Sequence, residues 1–388
     1  MGRSPWAAAS TDVPSSIQIA EPVVFSLADQ SFSRTKSVGI LNVSLGLGRA
    51  LLDMRPGGGM TLLVNGELSD RFPDSVNVRK IQCEGAARSP LGRIWYDQVG
   101  VYRAARRFPG AWLVLPKGYA SFILPPPRGV RLACYVHDAM QLHYRRHHPG
   151  YFPRFERVYF WRGFLSTLCH ADLIMTNSHF TAGELKEFAA ARSIRLAPVV
   201  PVGIGFDAPP APKAGAARSG FLVLASRMPH KLTSLAVEWL GRWQREQPGF
   251  AEPVSWVGSL PRGIALPEFP NWRLINRLDD AQYHELMNRA RALVYFSEYE
   301  GFGMPPVEAV FRGAAPVYSD IPATREVMTG RGMPFDNHSY TSFSEALLQG
   351  LECGSKTLDE WARSLVDALR WPDVAGRAAA AMNRISCG

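Results

Sequence analysis

Apolar residues along this chain gather into short runs, separated by longer stretches in which they recur every third or fourth position. The short runs read as buried strands and the longer stretches as amphipathic helices, so their alternation predicts open, parallel α/β sheets. Residues 1–20 are polar and carry Ser and Pro, which predicts a flexible tail ahead of the first apolar run, Pro22–Leu27. Further strands are expected at Met60–Asn65, Val76–Gln82, Ala111–Leu115, Leu132–Val136 and Leu173–Thr176. Val199-Val200-Pro201-Val202-Gly203 then leads into a stretch of prolines and small residues, 206–219, that reads as a linker. A second series follows, with strands expected at Gly220–Ala225, Val254–Val257, Trp272–Ile275, Ala292–Phe296 and Ala315–Tyr318. The pattern divides the chain into an N-terminal Rossmann-like domain, 21–205, and a C-terminal Rossmann-like domain, 220–370. A last helix, 371–388, is set off at Trp371-Pro372, because proline cannot continue a helix through its missing amide.

Composition agrees with two domains, since 388 residues exceed what one hydrophobic core usually organises. A content of 46% hydrophobic and 20% charged residues excludes disordered and fibrous classes. The net charge of +9 favours anionic partners: a phosphorylated substrate, an anionic membrane surface or nucleic acid. No apolar run approaches the ~18 residues of a membrane span, and the N-terminus lacks the apolar core of a signal peptide, so a cytoplasmic protein is expected. Cys83, Cys134, Cys169, Cys353 and Cys387 are scattered without Cys-x-x-Cys spacing, which predicts reduced thiols rather than a zinc or redox site.

The stretch that carries most chemistry runs Tyr295-Phe-Ser-Glu-Tyr-Glu300-Gly-Phe-Gly-Met-Pro-Pro-Val-Glu308. It reads as a strand, a glycine-bearing turn at Gly301-Phe302-Gly303, and a helix that Pro305 or Pro306 helps to start. A helix N-terminus with free amides suits a phosphate, and strand ends of open α/β sheets are where ligands bind. Glu300 and Glu308 flank that turn. Carboxylates suit sugar hydroxyls, which donate to them. Upstream, Phe221-Leu-Val-Leu-Ala-Ser-Arg227-Met-Pro-His-Lys231 is a strand followed by a basic loop. A spacing of four would set Arg227 and Lys231 on one side of a helical first turn, where a guanidinium and an ammonium could neutralise a diphosphate.

Taken with Tyr135-Val-His137-Asp138, Ala171-Asp-Leu-Ile-Met-Thr-Asn177-Ser178 and Ser319-Asp-Ile-Pro-Ala-Thr-Arg-Glu326, this pattern resembles the retaining glycosyltransferases of the family-4 type, with their Glu-x7-Glu signature. The resemblance covers roughly 20 to 385 and is strongest after 220. It implies the GT-B fold: two Rossmann-like domains facing across a cleft, with a C-terminal helix crossing back to the first. It further implies that Glu308 binds the ribose of a nucleotide-sugar and Glu300 a hydroxyl of the transferred sugar. Arg227 and Lys231 would hold the diphosphate, with Gly301, Phe302 and the amides of Gly303 and Met304 against the donor, and the base near Arg277. In the first domain, His137 would lie near the donor sugar and Gly39 in a loop that closes over the phosphates. Positive groups rather than a metal would oppose the charge of the leaving diphosphate, and no Asp-x-Asp motif or histidine cluster points to a metal. No cofactor is implied beyond the nucleotide-sugar donor.

GDP-mannose stands first among donors, with UDP-hexoses and deoxysugar nucleotides close behind, and bacterial surface-polysaccharide assembly is the expected setting. The acceptor would be a glycan or lipid-linked glycan. Residues 143–162 alternate cations and aromatics, which suits peripheral contact with an anionic membrane at its inner face; they equally suit a helix with an aromatic core side and a wet arginine side. Nucleic acid is not expected, since no recognised binding module accompanies the charge. Two alternatives stay open: another nucleotide-sugar enzyme of this fold, such as a soluble sucrose-phosphate or trehalose-type synthase or an epimerase, and a non-catalytic binding module.

Overall fold

The computed structural model describes residues 6, 18–32, 38–54, 59–75, 77–207 and 218–387. These fall into two compact units, one within 6–207 together with 369–387 and the other within 218–368.

The first unit holds seven strands among the described residues: β1 (Val23–Ser26), β2 (Met60–Val64), β3 (Val78–Gln82), β4 (Trp112–Leu115), β5 (Arg131–Val136), β6 (Leu173–Thr176) and β7 (Val199–Pro201). They pair in the order β3-β2-β1-β4-β5-β6-β7, with every pairing parallel. Parallel strands need crossover segments that cover the sheet faces, so central strands read as unbroken apolar runs. β1, β4 and β6 are accordingly buried at every position.

The second unit repeats the plan with β8 (Phe221–Ala225), β9 (Val254–Gly258), β10 (Trp272–Ile275), β11 (Ala292–Tyr295), β12 (Ala315–Ser319) and β13 (Met333–Phe335). The order is β10-β9-β8-β11-β12-β13, again all parallel; Val223 on β8 lies between Trp256 on β9 and Val294 on β11. Each sheet is therefore Rossmann-like. Strand order reverses beside the first strand of each, between β1 and β4 and between β8 and β11. Such switch points open a crevice at the carboxyl ends of the strands.

Two strands were absent from the sequence reading, β7 and β13. Each is three residues long, too short to show periodicity, and each contains a proline, Pro201 or Pro334. Both lie at a sheet edge, where a missing amide costs no ladder bond.

The last helix, Trp371–Ser386, packs on the helix Val38–Asp53 of the first unit. A Cβ on Gly46 or Gly205 would come within 2.0 or 2.4 Å of the Trp371 ring, so both sites need glycine. Arg377 donates to the Val202 carbonyl at 2.9 Å, and Asn383 to that of Gln18 at 2.7 Å. Within the segment expected to be a tail, Trp6 is buried, 5.1 Å from the His179 ring and beneath the Arg377 guanidinium at 5.3 Å. Residues 1–5 and 7–17 of that segment lie outside the described residues, as do 208–217 of the expected linker.

Candidate functional site

Two loops build the site, one after β8 and one after β11, the pair of strands that flanks the switch point of the second sheet. After β8, Ser226 and Thr233 close the loop on themselves: Thr233 Oγ1 accepts from the Ser226 amide at 2.9 Å and donates to its carbonyl at 2.8 Å. Arg227 and Lys231 do not share a helical first turn, contrary to the expectation from their spacing. Pro229–Lys231 is a short 3-10 turn, Leu232 is left-handed at φ 47°, and the α-helix starts only at Thr233. Arg227 is exposed at the strand end, whereas Lys231 is carried inward by the turn.

After β11, the chain is laced to that first loop and to β12. The Glu298 amide donates to the His230 carbonyl at 2.8 Å, and the Ser297 hydroxyl lies 3.1 Å from the same oxygen. Ser319 Oγ accepts from the Ser297 amide at 2.9 Å and donates to Asn337, whose amide group returns to the Ser297 carbonyl at 2.9 Å. The turn ends at Gly303, φ 88°, where a Cβ would meet Thr324 Cγ2 at 2.8 Å. Gly301 and Phe302 are buried beneath it. The helix Met304–Phe311 follows, with Pro305 and Pro306 in its first turn, where no intrahelical amide is needed.

These loops bring Lys231 and Glu300 together at 2.5 Å. Glu300 Oε1 accepts from Lys231 Nζ, from the Tyr295 hydroxyl at 2.5 Å and from Ser297 Oγ at 2.7 Å, and Tyr295 accepts in turn from Lys231 at 2.8 Å. Burial of Glu300 would raise its pKa, but the charges of Lys231 and His230 and the bonds from Lys231 and Tyr295 outweigh it and hold the carboxyl below its usual range. All three donors fall on Oε1. Oε2 takes none among the described residues, and Lys231 keeps one of its three N–H donors in hand.

Glu308 lies on the following helix, where the Tyr283 hydroxyl donates to its Oε2 at 3.3 Å. Burial pushes its pKa up, against the lowering effects of the Tyr283 hydroxyl and the Arg312 charge. Tyr283 belongs to the helix Asp280–Arg289, whose N-cap is Asp279. Arg277 is exposed in the loop just before that cap, so the loop and Glu308 are linked through one helix. Tyr295, Ser297 and Tyr283 were not foreseen: an in-strand Tyr and a helical Tyr read as core, and nothing local marks their hydroxyls as partners of acids.

In the first unit, His137 follows β5 and is buried at 9% exposure. Its Nε2 lies 2.7 Å from the Pro116 carbonyl, so that nitrogen carries the proton and Nδ1 is left as an acceptor. Burial, only partly offset by that carbonyl, brings its pKa down to about 4. Asn177 donates to the His137 carbonyl at 2.6 Å and ties the loops after β5 and β6. Gly39 is an exposed residue in the first turn of Val38–Asp53; residues 33–37 before it lie outside the described residues.

The second-unit loops thus assemble an ionised carboxylate, an ammonium, a second acid of raised pKa and a helix N-terminus around a single switch point. That set can bind a ligand with both hydroxyls and anionic charge. The family described as "Glycosyl transferases group 1" matches residues 270–364, a stretch that holds Arg277, Glu300 and Glu308. An O-antigen chain mannosyltransferase B of Escherichia coli is 33% identical over 96 residues, 25% of this chain and 25% of that protein. The O-antigen chain mannosyltransferase RfbU of Salmonella typhimurium is 39% identical over 71 residues, 17% of this chain and 20% of that protein. The match therefore spans a quarter or less of those relatives' length. Among solved structures, a UDP-forming α,α-trehalose-phosphate synthase from Burkholderia vietnamiensis aligns with TM-score 0.62 and 12% identity over 95% of this chain and all of that one. At that identity the likeness is one of fold, and the fold is GT-B.

Proposed function

We propose that this chain is a glycosyltransferase: it moves a hexose from a nucleoside diphosphate donor to an acceptor hydroxyl, with retention of configuration and without a metal. The carrying observation is the Lys231–Glu300 pair at the β8/β11 switch point. Glu300, ionised and fixed through Oε1, offers Oε2 to hydroxyls of the sugar. The third N–H of Lys231, with Arg227 and the amides of Gly303 and Met304 at the start of the helix, opposes the charge that gathers on the departing diphosphate. Glu308, which among the described residues takes only the Tyr283 hydroxyl, at Oε2, can accept from hydroxyls of the ribose. The base would lie by Arg277. On this reading His137 accepts a sugar hydroxyl at Nδ1, and Gly39 belongs to the loop that covers the phosphates.

In the preferred reaction the acceptor attacks from the face the diphosphate leaves. A leaving-group oxygen takes the acceptor's proton, so no protein nucleophile is needed. The names of the two O-antigen chain mannosyltransferases support a mannosyl donor in surface-polysaccharide assembly; on this reading the acceptor is a glycan or lipid-linked glycan, met at the cytoplasmic face of the membrane. A second reading draws on the whole chain rather than a quarter of it: a soluble synthase that acts on a small sugar or sugar phosphate, as the trehalose-phosphate synthase likeness suggests.

A thermal-shift panel of nucleotides and nucleotide-sugars tests the common part, because a tight ligand stabilises the native state by mass action. Stabilisation by one nucleoside diphosphate family is expected, followed by release of that nucleotide when acceptor is added. No stabilisation by any donor would remove the proposal. A product on glucose 6-phosphate, and none on a lipid-linked glycan, would select the synthase.

A further inference from the structure

Eight large apolar side chains are exposed among the described residues, and six are in the first unit: Leu91, Trp95, Ile123, Tyr151, Phe155 and Val158. Sequence scatters them over three segments, but the fold ties those segments together. The Tyr159 hydroxyl on the helix Arg154–His170 donates to Asp97 at 2.8 Å, two residues beyond Trp95. The Phe122 amide, next to Ile123, donates to Gln98 at 3.0 Å, and the Phe122 ring meets Tyr159 edge-on at 5.7 Å. Phe155 stacks on the same Tyr159 at 6.1 Å. Leu91 and Trp95 are one turn apart, as are Phe155 and Val158, so each pair shares a helix side.

Exposure here is large, 79% for Leu91, 64% for Phe155 and 54% for Trp95, and clustered exposed apolar surface marks an interaction face. Its surroundings are basic. Arg154, Arg157 and Arg162 are exposed on the same helix against one acid, Glu156, and Arg162 lies over the Phe122 ring at 5.9 Å. A nucleic acid would use the arginines but leave Leu91, Ile123 and Val158 without a role. A second copy would set these arginines against their own kind.

We propose that this face docks on an anionic lipid surface, with its rings and aliphatic chains in the headgroup layer and its arginines on lipid phosphates. No helix among the described residues is long and apolar enough to cross a membrane, so the contact is peripheral. The proposal deepens the lipid-linked-acceptor reading and rests on it for purpose, though not for geometry.

Flotation of the full chain tests it, with vesicles of phosphatidylcholine alone and of equal parts phosphatidylcholine and phosphatidylglycerol, at low and high salt. Flotation is expected only with the anionic vesicles and less at high salt. Trp95→Ser with Phe155→Ser, and separately Arg157→Glu with Arg162→Glu, should each weaken it about tenfold or more. The donor-induced thermal shift should stay unchanged in both variants. Absence of flotation overturns the proposal, and so does flotation that neither variant weakens. A dimer in light scattering that the apolar variant abolishes would assign the face to a second copy; retention of duplex DNA sensitive only to the arginine variant would assign it to nucleic acid. Loss of the donor shift with flotation intact would instead count against the enzymatic reading alone.

Discussion

At the scale of single residues, Glu300 shows how a largely buried carboxylate stays charged. Its surroundings would neutralise it, yet one ammonium, two hydroxyls and the nearby His230 hold it ionised through a single oxygen. Glu300→Gln keeps the shape but removes the charge, and Lys231→Ala removes the ammonium proposed to face the leaving group. Each should cut turnover by at least ~10²-fold while the far-ultraviolet spectrum is retained; near-normal turnover in both would refute the assignment. His137 sets a pH dependence of stability. Its folded pKa of about 4 lies below the ordinary 6.5, so the unfolded chain takes up a proton that the native state refuses. This contribution is complete above pH 6.5 and is lost as pH falls towards 4, by about 3 kcal/mol at the lower end. Urea unfolding of wild type and His137→Gln across that window should show a shallower decline in the variant. Parallel declines would mean that the imidazole is not held neutral.

At the scale of elements, the turn into Met304–Phe311 was legible in the sequence, because glycine freedom and proline geometry are local properties. What the sequence could not show is why Gly303 is demanding: a left-handed backbone and Thr324 Cγ2 both exclude a Cβ there. Gly263 is also left-handed, φ 79°, but faces open space. Gly263→Ala should therefore cost about 1 kcal/mol from backbone strain alone, and Gly303→Ala clearly more in thermal melts. Adding Thr324→Ser, which keeps the hydroxyl and deletes the methyl, should recover part of the Gly303→Ala loss; no recovery would show that the contact is not what forbids alanine. The loop after β8 was misjudged for a complementary reason. A spacing of four implies a shared helix side only inside a helix, and Leu232 at φ 47° with the Ser226–Thr233 bonds made a different loop.

At the scale of the whole molecule, the chain leaves the first unit at 207 and returns to it at 369. Val374, Ala378 and Met382 of the last helix are fully buried in that unit. Truncation after Ala368 should therefore abolish the cooperative melting of the first unit while the second still melts and still answers to nucleotide-sugar. Calorimetry with and without donor checks this, and an unchanged first transition would contradict it. By itself the sequence determined two parallel sheets, all their strands but the short edge strands β7 and β13, and the turn that starts the helix at Met304, because strand length, apolar content and turn chemistry act over a few neighbouring residues. Only the tertiary structure decided that Lys231, Tyr295 and Ser297 meet on one oxygen of Glu300, or that three segments bearing exposed apolar side chains are tied together through Asp97, Gln98 and Tyr159. Those outcomes follow from strand order, which sets β8 beside β11, and from loop closure between residues distant in the chain, neither of which any local spacing encodes.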